Sequence, residues 1–391
     1  VSLEAPIVLF AVLLVLLGLA SGDDVDSPVP DLTIQLYDSP LIYAIVALLV
    51  VALAVHPGPT LTRSPRRPGT LGVGLAIIAL IAALRFGAPA DDLFVGRPIF
   101  LLAISVLAGY MLATRYGSDL ILELLVGTAG LAVGLGLYNV ATGHELSFYD
   151  SSFVFLIGVA ATLVLFSAVD IGFARFPFLI ASALVIVTSL RRGTIIAVAI
   201  TLLVTGLVKG RGGFRTAVAV VTGVVVALEI ALPGSVFDNV SRLVGYFTGG
   251  SGEDFSVNYR SYETANAWLN VERNWLDGIG PTSDWILYRT FDGKFEPYDN
   301  DYLHNSYLWM WLRYGLIGLV TYAAFIAVSA LVFVRRSAPV AVVVIGGSMV
   351  GLAFAVATAS FLTTTSRWPL LVGLLVGIAC RIQHEQRLAR A

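Results

Sequence analysis

The sequence predicts an all-α polytopic membrane protein with about twelve transmembrane helices and one large external loop that contains short helices. Three observations predict it. Hydrophobic residues make up 57% of the 391 positions and charged residues only 13%, whereas a soluble domain carries roughly 25% charged residues. The apolar residues fall in long runs, and Ala5 to Ala20, Leu41 to Val55 and Phe176 to Leu190 hold no charge at all. Each run is long enough, or nearly so, to cross roughly 30 Å of hydrocarbon as a helix. The runs lack the strict alternation of a barrel strand, so the helix is the one form that satisfies their backbone in lipid. The third observation is the sorting of basic residues to alternate connections.

Taken in order, the expected spans are 5–21, 39–56, 71–88, 98–114, 120–140, 152–170, 176–190, 194–208, 216–232, 315–334, 339–361 and 367–381. The first could mimic a signal peptide, but it lacks a basic leader and reads as the first helix. The connections after even-numbered spans carry Arg63, Arg66 and Arg67, then Arg115, Arg175, Lys209, Arg211, Arg215, Arg335 and Arg336, and the tail adds Arg381, Arg387 and Arg390. Facing them are Asp23, Asp24, Asp26, Asp31, Asp38, Asp91, Asp92, Glu145 and Asp150. Basic segments stay on the cytoplasmic side, which puts both termini there. The chain divides into residues 1–232 with nine spans, an external loop and returning segment over 233–314, and the last three spans with the tail over 315–391.

Some classes are excluded. The polytopic composition argues against a soluble enzyme or a nucleic-acid binder, the net charge of −2 by itself says nothing about partners, and the single cysteine, Cys380, allows no disulfide framework. Glu123 and Glu229 fall in apolar runs, where ionisable groups usually face the bundle interior; neither is assigned a role.

Two features break the external pattern. One is the Arg191-Arg192 pair in a short turn on the face where positive charge is disfavoured. The other is the 233–303 connection, with five basic and eleven acidic residues. Loops of that length are usually functional. The loop and the stretch after it hold Trp268, Trp275, Trp285, Trp309 and Trp311, which read as an interfacial belt in preference to sugar-stacking platforms.

The strongest local pattern is His304-Asn305, nine residues, then Gly315-Leu-Ile-Gly318. It resembles the pattern of the O-antigen ligase family: His, then Asn, Ser or Gln, nine residues, Gly, two more, and Gly, Thr or Tyr. Three further segments agree with the resemblance. Thr188-Ser189 before Arg192-Gly193 looks like the family's Ser-x-Arg-Gly segment. Arg260, within Asn258-Tyr-Arg-Ser261, resembles the arginine that opens its loop helix. Asn274-Trp-Leu-Asp-Gly-Ile-Gly-Pro281 looks like its Pro-Leu-Leu-Gly-Val-Gly turn, with Leu-Asp where the family has Pro-Leu. The resemblance runs from about residue 186 to 335.

It implies an inner-membrane glycosyltransferase that moves a glycan from a polyprenyl-diphosphate carrier to an acceptor on the external face. The implied partners are that donor, a lipid or glycan acceptor, and membrane lipid. A lipid diphosphate leaving group needs permanent cations near the headgroups, and the arginine fork binds phosphate oxygens in pairs. Arg191, Arg192 and Arg260 are external arginines suited to that task. An attacking hydroxyl must lose a proton, and histidine is the side chain whose reference pKa of ~6.5 suits a base near neutrality. His304 takes that role, with inversion at the sugar, while Asn305, Gly315 and Gly318 position the motif.

Each assignment has a plainer rival. A loop histidine is commonly a hydrogen-bonded surface residue, arginines at helix ends snorkel to headgroups, and Arg260 could simply be ion-paired. Asp23-Asp24 and Asp299-Asn300-Asp301 are the acidic clusters that could hold a divalent ion. The first lacks the long first external loop of metal-dependent polyprenyl-phosphate glycosyltransferases and the second reads as an acidic turn, so no metal and no cofactor is expected. A polymerase of the same family shares the donor and differs in its acceptor, and the histidine motif leans to ligase. A transporter would need polar groups near the midplane, and here they cluster externally.

Overall fold

A helix satisfies its backbone polar groups within itself, and an apolar helix then needs only neighbours of matching shape. The computed structural model describes residues 97–141, 151–189, 191–231, 255–280, 303–357 and 367–390. In chain order the α-helices are α1 (Arg97–Tyr116), α2 (Ser118–Ala141), α3 (Ser151–Leu165), α4 (Arg175–Thr188), α5 (Arg192–Val208), α6 (Arg211–Ala231), α7 (Phe255–Arg273), α8 (Ser306–Phe333), α9 (Val340–Ala355) and α10 (Arg367–Leu388). A single 3-10 turn, Gly172–Ala174, precedes α4, and no strand occurs among the described residues. The spans expected at 5–21, 39–56 and 71–88 lie outside the described residues, as does the external loop apart from 255–280 and Leu303. Among the described helices, Ser118–Tyr138 and Ser306–Phe333 are long and apolar enough to cross a membrane, and shorter apolar helices accompany them.

Several boundaries differ from expectation. The span expected at 152–170 stops at Leu165, because Ser167 takes a positive φ of 57° and turns the chain. The Arg175 guanidinium closes that corner on the Leu165 carbonyl at 2.7 Å. The helix expected from 315 begins at Ser306 and is broken at Gly315. The last runs on to Leu388, carried past the apolar run by Arg381 and Glu385, whose side chains pair at 2.9 Å one turn apart. Glu123, expected to face inward, is exposed near the start of α2.

Small residues set the closest packing. A Cβ on Gly377 of α10 would run into the Val106 carbonyl of α1, and one on Gly351 of α9 into the Ala197 carbonyl of α5. Glycine there lets two backbones touch, which is how helices gain contact where lipid removes the hydrophobic drive to associate. The α1–α10 pair runs parallel, since Gly373 meets Leu102 and Gly377 meets Val106 and Tyr110. The α5–α9 pair runs antiparallel, since Gly347 meets Thr201 and Gly351 meets Ala197. At one end of the bundle Trp368, buried at the start of α10, donates to Ser151 Oγ at 3.1 Å and packs on Phe155 with ring centroids 5.0 Å apart.

Candidate functional site

The site assembles around the first turn of α8. Asn305 has extended backbone (φ −114°, ψ 106°), and its side chain accepts from the Leu308 N–H at 3.1 Å. It is therefore the N-cap, satisfying a donor that the helix start leaves open. The Ser306 N–H reaches the Val356 carbonyl at 2.8 Å, and Tyr307 Oη donates to the Ala353 carbonyl at 3.1 Å. The start of α8 is thus tied to the end of α9. Leu303, just before the histidine, is buried.

His304 sits between these anchors. Its backbone N–H donates to Glu263 Oε2 at 3.1 Å, and its ring Nδ1 lies 2.9 Å from the same oxygen. The carboxylate side chain is 2% exposed and the histidine 22%. Glu263 was missed by sequence reasoning. Its helix, α7, carries polar residues on its inner face, with Glu263, Asn266 and Asn270 buried beside Ala267 and Val271 while Trp268 is exposed. That inversion of the usual pattern hides Glu263 from any hydropathy argument; a buried face of Glu and Asn at helical spacing is the signal that could have flagged it. Arg260 lies one turn earlier on the same side of α7, half-buried.

A second junction fixes the returning chain. Gly315 has φ 66° and ψ −168° inside α8, and the ladder opens there. The Leu312 and Arg313 carbonyls accept instead from the N–H groups of Ile279 and Gly280, at 2.8 and 3.1 Å. The Leu316 N–H turns to the Trp275 and Leu276 carbonyls at 3.0 and 3.2 Å. The 274–280 turn therefore inserts its backbone into the break, and these three groups find partners there. The fit excludes side chains. A Cβ on Gly315 would collide with the Leu276 carbonyl, and one on Gly278, itself at φ 71°, would stand 2.6 Å from the Arg313 carbonyl. Buried Arg313 reaches the Gly280 carbonyl at 3.5 Å. Gly318 lies against Tyr314 one turn back. Gly315 and Gly318 thus contribute close backbone fit within α8, the helix that follows the histidine.

The arginine pair occupies the start of α5, with Arg191 at the N-cap position and exposed. The antiparallel register of α5 on α9 pairs Gly351 with Ala197. Continued by one turn, it sets the start of α5 beside Ala355 and Val356. Val356 is the residue whose carbonyl holds Ser306. The backbone at Arg192 and the His304 loop consequently meet the same end of α9.

The aromatic residues divide. Trp309 is buried, so it belongs to the core and not to the expected belt. Trp268 and Trp275 are exposed, Trp311 stacks edge-on with Trp268 at 5.3 Å and donates to the Trp275 carbonyl at 2.8 Å, and Trp285 lies outside the described residues. Among the described residues no three His, Cys, Asp or Glu side chains converge as a cation site. Asp23-Asp24 and Asp299-Asp301 lie outside them.

Among the described residues the chain is helical and apolar, as an integral membrane protein is, and it pairs a histidine with a buried carboxylate just before α8. Residues 177–323 match the model of the O-antigen ligase family. The match takes in Arg191, Arg192, Arg260, Glu263, His304, Gly315 and Gly318. The family is one of integral membrane glycosyltransferases of the ligase and polymerase type that act on a lipid-linked glycan and an acceptor. No curated protein matches the chain.

Proposed function

We propose that this protein transfers a glycan from a polyprenyl-diphosphate carrier to an acceptor hydroxyl at the external face of the inner membrane, as an inverting, metal-independent ligase. One observation supports the reading: the start of α5 and the His304 loop converge on the end of α9, while α7 carries Arg260 one turn before Glu263, the partner of that histidine. Those are the groups the reaction needs together. Arg191, Arg192 and Arg260 hold the diphosphate through charge-assisted bonds. His304 takes the proton from the acceptor hydroxyl. The oxygen's electron pair forms the new bond to the anomeric carbon, and the old carbon–oxygen bond breaks with its electrons on the diphosphate.

The bundle also offers room for hydrocarbon. An apolar cavity of ≈ 150 Å³ lies between α3, α4, α5 and α6, with Ile195, Val198 and Leu202 of α5 on its wall. It begins one turn below the arginine pair, where the tail of a carrier held by its diphosphate would run.

The test is donor binding and single-turnover transfer by purified protein in detergent, with a polyprenyl-diphosphate glycan. His304→Ala is expected to lose roughly two to four orders of magnitude in turnover while still binding donor. Arg192→Ala and Arg260→Ala lose binding and turnover together, and lysine at either position restores them only in part. Transfer survives EDTA. Wild-type turnover by His304→Ala would sink the assignment of the base, and loss of transfer on chelation would bring Asp23-Asp24 or Asp299-Asp301 back as ligands.

A further inference from the structure

The reading above leaves Glu263 unused, although it contacts both the backbone and the ring of the histidine. We propose that Glu263 is a positioning residue that holds His304 as the Nδ1–H tautomer and stabilises the imidazolium formed when the acceptor is deprotonated. This rests on His304 being the base.

The argument starts from one oxygen. Glu263 Oε2 receives the His304 backbone N–H at 3.1 Å, and a backbone N–H can only donate. Oε2 is therefore an acceptor. The ring nitrogen 2.9 Å away from that acceptor presents its own N–H. A neutral imidazole with hydrogen on Nδ1 carries its lone pair on Nε2, so the atom left to take a proton is Nε2. Two bonds from one residue to one oxygen also fix the backbone and the ring plane together. The Nδ1 edge is closed by a carboxylate only 2% exposed, so the 22% exposure of the histidine side chain belongs to the rest of the ring.

Charge gives the second part. Glu263 Oε1 is buried and has no hydrogen-bond partner among the described residues. A buried carboxylate is costly unless a positive charge answers it. When the acceptor O–H bond breaks and its proton arrives on Nε2, the ring brings a positive charge directly against the carboxylate. The pair is arranged for the state after proton transfer, which is where stabilisation accelerates the step. A residue needed only to tie down the loop would serve as well without charge.

Two measurements separate these cases. Glu263→Gln keeps the size and an accepting oxygen but removes the charge. It is expected to bind donor normally and to lose roughly 10²–10⁴-fold in single-turnover transfer, while Glu263→Asp recovers part of the loss. Nitrogen-15 NMR of the wild-type protein, with the His304 signals assigned by their absence in His304→Ala, is expected to show hydrogen on Nδ1 and a bare Nε2 in the neutral ring. Wild-type transfer by Glu263→Gln, or hydrogen on Nε2 in the wild-type spectrum, overturns the proposal. The spectrum decides even where Glu263→Gln fails to fold. A His304→Ala variant that transfers normally defeats the reading of the base without altering the tautomer result, so the two failures are distinguishable.

Discussion

Gly315 has no side chain to do chemistry, yet its backbone admits the 274–280 turn into α8. Any residue with a Cβ there must hold a backbone conformation (φ 66°, ψ −168°) essentially reserved for glycine, which costs on the order of 1–3 kcal/mol, and its Cβ also collides with the Leu276 carbonyl. Gly315→Ala is therefore expected to lower the thermal midpoint of detergent-purified protein by several degrees and to depress transfer with it. Gly278→Ala should do the same, and an unchanged midpoint in both would show that the junction can relax. The motif that holds Gly315 was legible in the sequence as a pattern. Its physical reason was not, because the colliding carbonyl lies thirty-nine residues earlier in the chain.

At the scale of elements, α8 is the piece on which the site depends, and its first turn rests on Asn305. Asn305→Ala removes the cap and should cost about 1 kcal/mol, whereas Asn305→Ser should retain most of it. Because the neighbouring residue is His304, transfer should fall in the alanine variant and return in the serine variant. Equal stability and transfer in all three would mean that the Ser306–Val356 bond alone holds the helix start. Most of the described helices were legible from apolar runs. Their ends were less so: hydropathy began the tenth span at 315, where the polar-rich turn 304–305 and the buried Trp309 show α8 already under way.

For the whole molecule, packing sets which helices run parallel, and charge sets which side each end occupies. A reporter fused after Arg67 or Arg336 is expected to read cytoplasmic, and one inserted near Gly250 external. A cytoplasmic reading near Gly250 would place the His304 loop on the wrong face for an external lipid-linked donor. The proposed reaction would then have to be abandoned, although the O-antigen ligase match over 177–323 would stand.

The sequence by itself determined the helical class, the arginines at the start of α5, and the histidine with its capping asparagine. These follow from local properties: a run of apolar side chains, a charge at its end, a short motif of fixed spacing. Only the tertiary structure decided that Glu263 holds His304 across forty-one positions of chain, that two glycine turns interlock at the break in α8, and that α5 and α8 meet on α9. Those arrangements depend on which backbones come close enough to exchange hydrogen bonds. Hydropathy does not encode that choice, and for a buried glutamate on a polar-faced helix it points the other way.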